Sequence, residues 1–125
     1  MIKFLNEEHK KRYEECIEKD KTFINDNERK GMFYILSSNE DIYKKINDLY
    51  DFTSRAISFE KFFKAEGELS SAYIKMVYLA YQLYNNFKYS DFDRKDLSII
   101  DILAGLDKDN FDVCCYALKI RFNNN

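Results

Sequence analysis

The sequence predicts an all-α fold, a compact single-domain bundle of about six or seven helices around a central aromatic-rich helix. Three observations predict it. Proline is absent and glycine occurs only three times in 125 residues, so the strongest helix breakers are rare. Apolar residues recur at spacings of three, four and seven rather than in strict alternation. Short polar residues of the kind that cap helices stand just before nearly every such run. With 46% apolar and 34% charged residues the chain has enough core to fold, and its length suits one domain spanning residues 1–125 with a frayed Asn123-Asn124-Asn125 tail.

The first helix opens at Asn6 as N-cap, with Glu7 and Glu8 in its first turn complementing the helix dipole. Its apolar face is expected to run Tyr13, Cys16, Ile17 and then Phe23-Ile24 near its end. Asp26 or Asn27 caps a second helix, in which Met32, Phe33, Ile35 and Leu36 form a buried run. The Ser37-Ser38-Asn39 cluster stops that helix and starts a third, with Ile42, Ile46 and Leu49 at i, i+4, i+7. Residues 51–58 read as a turn. Ser58 caps a short helix through Phe59, Phe62 and Phe63, which Gly67 ends. Ser70 or Ser71 starts the clearest helix, reaching about Asn86; it is apolar nearly all round, the mark of a helix packed on several sides. Residues 87–96 form a polar loop. Asp96 or Ser98 begins a short helix, Ile99 to Ala104, with Gly105 at its end. Asp107 or Asp109 caps a last helix whose face is expected to be Phe111, Cys114, Cys115, Leu118 and Phe122. Strand is the competing assignment for Met32–Leu36 and Asp112–Phe122, although neither run alternates with period two.

No stretch has the roughly 20 apolar residues that a membrane span needs, and Glu7 interrupts the N-terminal apolar residues before they resemble a signal peptide. Three cysteines, two of them adjacent at Cys114 and Cys115, make a poor disulfide framework. A cytoplasmic location is expected.

Composition speaks against most chemistry. The chain has one histidine, His9, the side chain best suited to proton transfer near neutral pH. His9 and Cys16 lie seven apart on one helix, about 10 Å by helical rise, so they cannot pair there. Only tertiary packing would bring Cys114 or Cys115 to His9; core or boundary cysteines and a surface histidine are expected instead. There is no Cys-x-x-Cys and no second histidine for zinc. The Asp107-Asp109 and Asp91-Asp93 runs lack the glycine of a calcium loop. No glycine-rich phosphate loop is present. No catalytic residue, metal or cofactor is expected, and the chain reads as a non-enzyme.

Charge distribution gives the first functional lead. The net charge is −2, but residues 91–112 hold seven acids (Asp91, Asp93, Asp96, Asp101, Asp107, Asp109, Asp112) against Arg94, Lys95 and Lys108, a local excess of four. No segment is a basic stripe, so direct nucleic-acid binding is not expected. The first helix carries Lys10, Lys11, Arg12 and Lys19, but Glu14, Glu15 and Glu18 interrupt them. Aromatic rings crowd the same half of the chain: Tyr73, Tyr78, Tyr81, Tyr84, Phe87 and Tyr89. Either some are binding anchors or all are an aromatic core whose hydroxyls reach the surface. Asp91, Asp93 and Asp96 with Tyr84, Phe87 and Tyr89 are the candidate partner-binding residues.

A further lead comes from ordered motifs: Asn6-Glu7-Glu8-His9; Glu28-Arg29-Lys30-Gly31-Met32-Phe33-Tyr34-Ile35-Leu36-Ser37; Leu49-Tyr50-Asp51-Phe52; Leu79-Ala80-Tyr81-Gln82-Leu83-Tyr84-Asn85; Leu106-Asp107-Lys108-Asp109-Asn110-Phe111; Ala117-Leu118-Lys119-Ile120-Arg121-Phe122. This string resembles a family of short uncharacterised proteins from phages and mobile elements of low-GC Gram-positive bacteria. Tyr81-Gln82 stands where the family's pattern has Phe-Asn. The resemblance implies no activity. The context it implies is protein–protein interaction, with the chain as an anti-defence inhibitor, anti-CRISPR-like, of a basic nucleic-acid-handling effector. The alternative is a nucleic-acid-binding regulator of the mobile element.

Overall fold

The computed structural model describes residues 1–123; Asn124 and Asn125 of the expected tail lie outside the described residues. Local capping determines where the helices start. α1 (Glu7–Asp20) begins where the Asn6 side chain accepts the His9 backbone N–H, and ends where Lys21 turns left-handed. Asp26, Asn39 and Ser58 cap α2 (Asn27–Leu36), α3 (Glu40–Tyr43) and α5 (Phe59–Ala65) in the same way, each accepting an N–H three residues on. Ser70, Ser98 and Asp107 do so for α6 (Ser71–Asn85), α7 (Ile99–Leu103) and α8 (Lys108–Arg121). Both segments with a competing strand assignment are helical, and the fold is all-α. Among the described residues the only β-type pairing is a bridge between Asp51 and Ala56, which closes the expected 51–58 turn.

Among the described residues there are eight α-helices where six or seven were expected, because the third expected helix is two. α3 and α4 (Ile46–Leu49) are separated at Lys44-Lys45, yet Ile42, Ile46 and Leu49 still face inward. The polar loop 87–96 also contains a 3₁₀ turn, Tyr89–Phe92, and a second one, Glu66–Glu68, encloses Gly67.

α2 and α6 form the centre together. α2 packs most extensively on α6, and then on α8. Met32, Phe33, Ile35 and Leu36 are fully buried, as are Met76, Val77, Tyr78, Ala80 and Tyr81 of α6. Each such large apolar side chain contributes roughly 1.5–3 kcal/mol by leaving water. α2 approaches α8 closely at Gly31, where the space takes no more than a methyl group: a Cβ there would stand 3.4 Å from the Ala117 carbonyl oxygen.

Two expected faces are corrected. α1 stops at Asp20, so Phe23 and Ile24 fall in the connection and are 69% and 90% exposed. On α8 the buried face is Val113, Cys114, Ala117 and Ile120, while Phe111 and Phe122 are 41% and 61% exposed. The residues at i, i+3/i+4 and i+7 that meet Gly31 and α6 win the core; Phe111 and Phe122 at the helix ends extend past it.

Candidate functional site

The segment from Phe87 to Asp101 is built on the C-terminal end of α6. Asn86 adopts a left-handed conformation that ends the helix and turns the chain back along it. Phe87 then plugs into the core, with its ring 5.0 Å from Phe59 and 5.6 Å from Tyr78. The Tyr89 ring packs 4.4 Å from that of Tyr78, and its hydroxyl donates to Glu66 Oε2 at 3.2 Å. Arg94 closes the turn from the other side, pairing with Glu66 and lying 4.0 Å above the Phe63 ring. The Asp96 carboxylate accepts the Ser90 backbone N–H at 3.0 Å and the Tyr78 hydroxyl at 3.2 Å. Those bonds, the Ser90 N–H foremost, hold the Asp96 carboxyl below the usual carboxylate range.

The six candidate residues therefore separate. Phe87 and Tyr89 are buried and hold the turn in place, as core rings and not as outward anchors. Tyr84 belongs to a different cluster, where its hydroxyl accepts from Arg29 Nη2 at 3.2 Å beneath the Arg29 guanidinium. Asp96 is exposed but committed to the turn. Asp91 and Asp93 are exposed and, among the described residues, make no ion pair. Of the remaining acids in 91–112, Asp101 completes a capping box with Ser98, Asp107 caps α8, and Asp112 pairs with Lys108 at 2.8 Å.

Between the acids stand apolar side chains that the sequence reading left out. Phe92 is 39% exposed, one side of its ring resting against Phe59 and Phe63; Ile99 and Ile100 are 40% and 72% exposed. A signal existed for Ile100: Ile99 lies three residues before the buried Ile102, on its face of the helix, whereas Ile100 does not.

Residues 1–125, the whole chain, match the family of unknown function DUF6075. The chain belongs to that family. No curated protein and no solved structure is significantly similar to it. The DUF6075 fold gives the side chains most often used in catalysis structural partners. His9, expected at the surface, is fully buried; its Nε2–H donates to the Tyr34 carbonyl at 2.9 Å and its Nδ1 accepts the Leu5 N–H at 3.2 Å. Burial is the main cause that pushes its pKa down to about 4, so the ring is neutral at pH 7. Burial likewise pushes the thiols of Cys16 and Cys114 up to about 12, away from the thiolate form. Among the described residues no three His, Cys, Asp or Glu side chains gather to hold a metal ion. Nor, among the described residues, is any helix long and apolar enough to cross a membrane.

A buried polar network in this DUF6075 fold also escaped the sequence reading. Asp20, at the last turn of α1, accepts from Tyr50 Oη at 2.6 Å, Thr22 Oγ1 at 2.5 Å, and Arg55 Nε and Nη2 at 3.1 and 3.3 Å. Arg29 of α2 joins it through Tyr50 Oη at 3.1 Å and binds Asp26, the Arg55 carbonyl and Tyr84. Burial disfavours the Asp20 carboxylate, but the bonds from Arg55, Thr22 and Tyr50 outweigh it and the carboxyl ionises below its ordinary range. Residues 20, 29, 50, 55 and 84 share no sequence periodicity, so no local signal marked the cluster. Every group in it is satisfied by another, which makes it a fastening of the 51–58 turn to α1 and α2.

Proposed function

We propose that the chain is a non-enzymatic protein-interaction module that docks on a basic surface of a partner through residues 91–101. One observation carries this reading. Within that stretch, Phe92, Ile99 and Ile100 are exposed and interleaved with Asp91, Asp93 and Asp101. Apolar side chains exposed among acids match the composition of an interface for a basic partner. The acids steer a cationic partner toward the patch, and the apolar residues hold it once bound. The turn beneath is braced by Phe87, Tyr89 and the Arg94–Glu66 pair, which lowers the conformational entropy lost on docking.

The sequence resemblance supports a more specific setting: an anti-defence inhibitor of a phage or mobile element that occludes a basic, nucleic-acid-handling effector in the cytoplasm. Charge reversal tests the docking surface. Asp91→Lys with Asp93→Lys is expected to abolish partner capture from the native host, while the far-UV circular dichroism and melting temperature stay at wild-type values. Asp96 is left intact, because its reversal would break the Ser90 and Tyr78 bonds and test the turn instead. Equal capture by the double variant would sink the proposal.

A further inference from the structure

Residues 1–5 cross the bundle as a strap, and side chains hold it. The Tyr116 hydroxyl donates to the Met1 carbonyl at 3.1 Å and accepts the Lys3 N–H at 3.0 Å. The Tyr34 hydroxyl donates to the Lys3 carbonyl at 2.7 Å. Leu5 N–H donates to His9 Nδ1. Ile2 and Phe4 alternate inward; the Phe4 ring sits 5.1 Å from His9, 5.2 Å from Tyr13 and 5.8 Å from Tyr34.

His9 is the member of this set that can change state. Its Nε2 carries the proton given to the Tyr34 carbonyl, so its Nδ1 keeps the lone pair that receives Leu5. A proton on Nδ1 would set two donors face to face and add a buried charge. Of the groups around the ring only the Tyr34 carbonyl favours the charged form, and burial outweighs it. Arg12 on α1 is a neighbouring cation, and Tyr13 and Tyr34 are hydroxyls whose own ionisation is pushed upward by burial. Asp112 and Tyr116 of α8 face Tyr34 and act on its hydroxyl.

We propose that His9 is an acid-operated latch, holding residues 1–5 on the bundle while its ring is neutral and releasing them when the ring is protonated. Release uncovers the aromatic seat of Phe4. The groove beside it, about 390 Å³ and lined by Met1, Ile2, Phe4 and Lys10, shares Tyr13 and Glu14 with a second groove of about 430 Å³ flanked by Ile17, Phe23 and Ile24. Release of the strap removes Met1, Ile2 and Phe4 from the first groove and leaves Tyr13 and Glu14, the residues common to both, open to solvent.

The sign follows from linkage. The closed strap binds its proton near pH 4 and the open strap near the ordinary 6.5, so closure is fully favoured above 6.5 and weakens as pH falls toward 4. From well above the upper value to well below the lower one the closing equilibrium drops by about 300-fold in all, most of it between the two. The test is a pH titration of the full chain by NMR, following the His9 ring protons and the Lys3 and Leu5 amides from pH 7 to 3.5. The expected result is that the Lys3 and Leu5 amides move to open-strap positions as the ring ionises, with α2 and α6 amides unmoved. In His9→Gln, which cannot titrate, the strap amides are expected to show no such transition. The latch is overturned if His9 ionises with Leu5 unmoved, if the helix amides collapse at the same midpoint, or if His9→Gln keeps the wild-type transition.

Discussion

Removing the Asp20 carboxylate should unfold the protein more readily than its single buried side chain suggests. Asp20→Ala strands the Tyr50 and Thr22 hydroxyls and the Arg55 guanidinium, of which Thr22, half-buried, can turn to water. The Tyr50 hydroxyl is fully buried and loses its 2.6 Å acceptor, which costs about 1–3 kcal/mol. Arg55, whose side chain is 37% exposed, can turn back to water and costs at most about 1 kcal/mol. Arg29 keeps Asp26 at 2.9 Å and the Arg55 carbonyl at 3.0 Å, so its charge stays compensated. The expected loss is about 3 kcal/mol, below the upper range for breaking a wholly buried ion pair. Urea unfolding followed by circular dichroism measures it, with an unchanged m-value. The double variant Asp20→Ala/Tyr50→Phe tests the cause. Deleting the stranded hydroxyl should restore at least about 1 kcal/mol relative to the sum of the single changes. A loss under about 1 kcal/mol for Asp20→Ala, or strict additivity with Tyr50→Phe, would mean that the Tyr50 hydroxyl is not stranded. Acid provides a second check: because the carboxyl ionises below its ordinary range, its contribution is in place above the ordinary value and fades as pH falls through the depressed one. Asp20→Asn should therefore show a shallower loss of stability on acidification below about pH 4.

Two further substitutions probe the α2–α6–α8 centre. Gly31→Ala should raise the melting temperature, by up to about 1 kcal/mol of stability, because the added Cβ meets its neighbours at ordinary contact distances of 3.4–3.6 Å and removes a helical glycine. Gly31→Leu should push α8 away and cost about 1–3 kcal/mol, so equal melting temperatures for the two variants would contradict the close approach. Tyr81→Phe removes the hydroxyl that donates to the Leu49 carbonyl at 2.7 Å, the last turn of α4, at a cost of about 1–2 kcal/mol in denaturant titration; a neutral result would mean that this carbonyl finds another donor.

Seven of the eight described helix starts are legible in the sequence to within a residue or two, and the uncapped start of α4 is not. Asn6, Asp26, Asn39, Ser58, Ser70, Ser98 and Asp107 each bond a backbone N–H three residues ahead, and an interaction confined to one turn can be read without knowing the rest of the fold. The buried runs 32–36 and 76–81 were legible for a related reason: α2 and α6 are enclosed on nearly every side, so their apolar content does not depend on which neighbour arrives.

Tertiary packing decided what local pattern leaves open. His9 follows a cap and stands among charged residues, which reads as surface, until Phe4, Tyr13 and Tyr34 close over it. Aromatic crowding after α6 was visible, but only the reversal at Asn86 turns Phe87 and Tyr89 inward and leaves Phe92 partly outside. The candidate surface was thus half legible. Its acids, Asp91 and Asp93, are a property of composition, while the exposure of Phe92, Ile99 and Ile100 depends on which side of a short helix or turn the core happens to occupy. The Asp20–Arg55 pair spans 35 residues of chain and exists only because the fold brings its ends together.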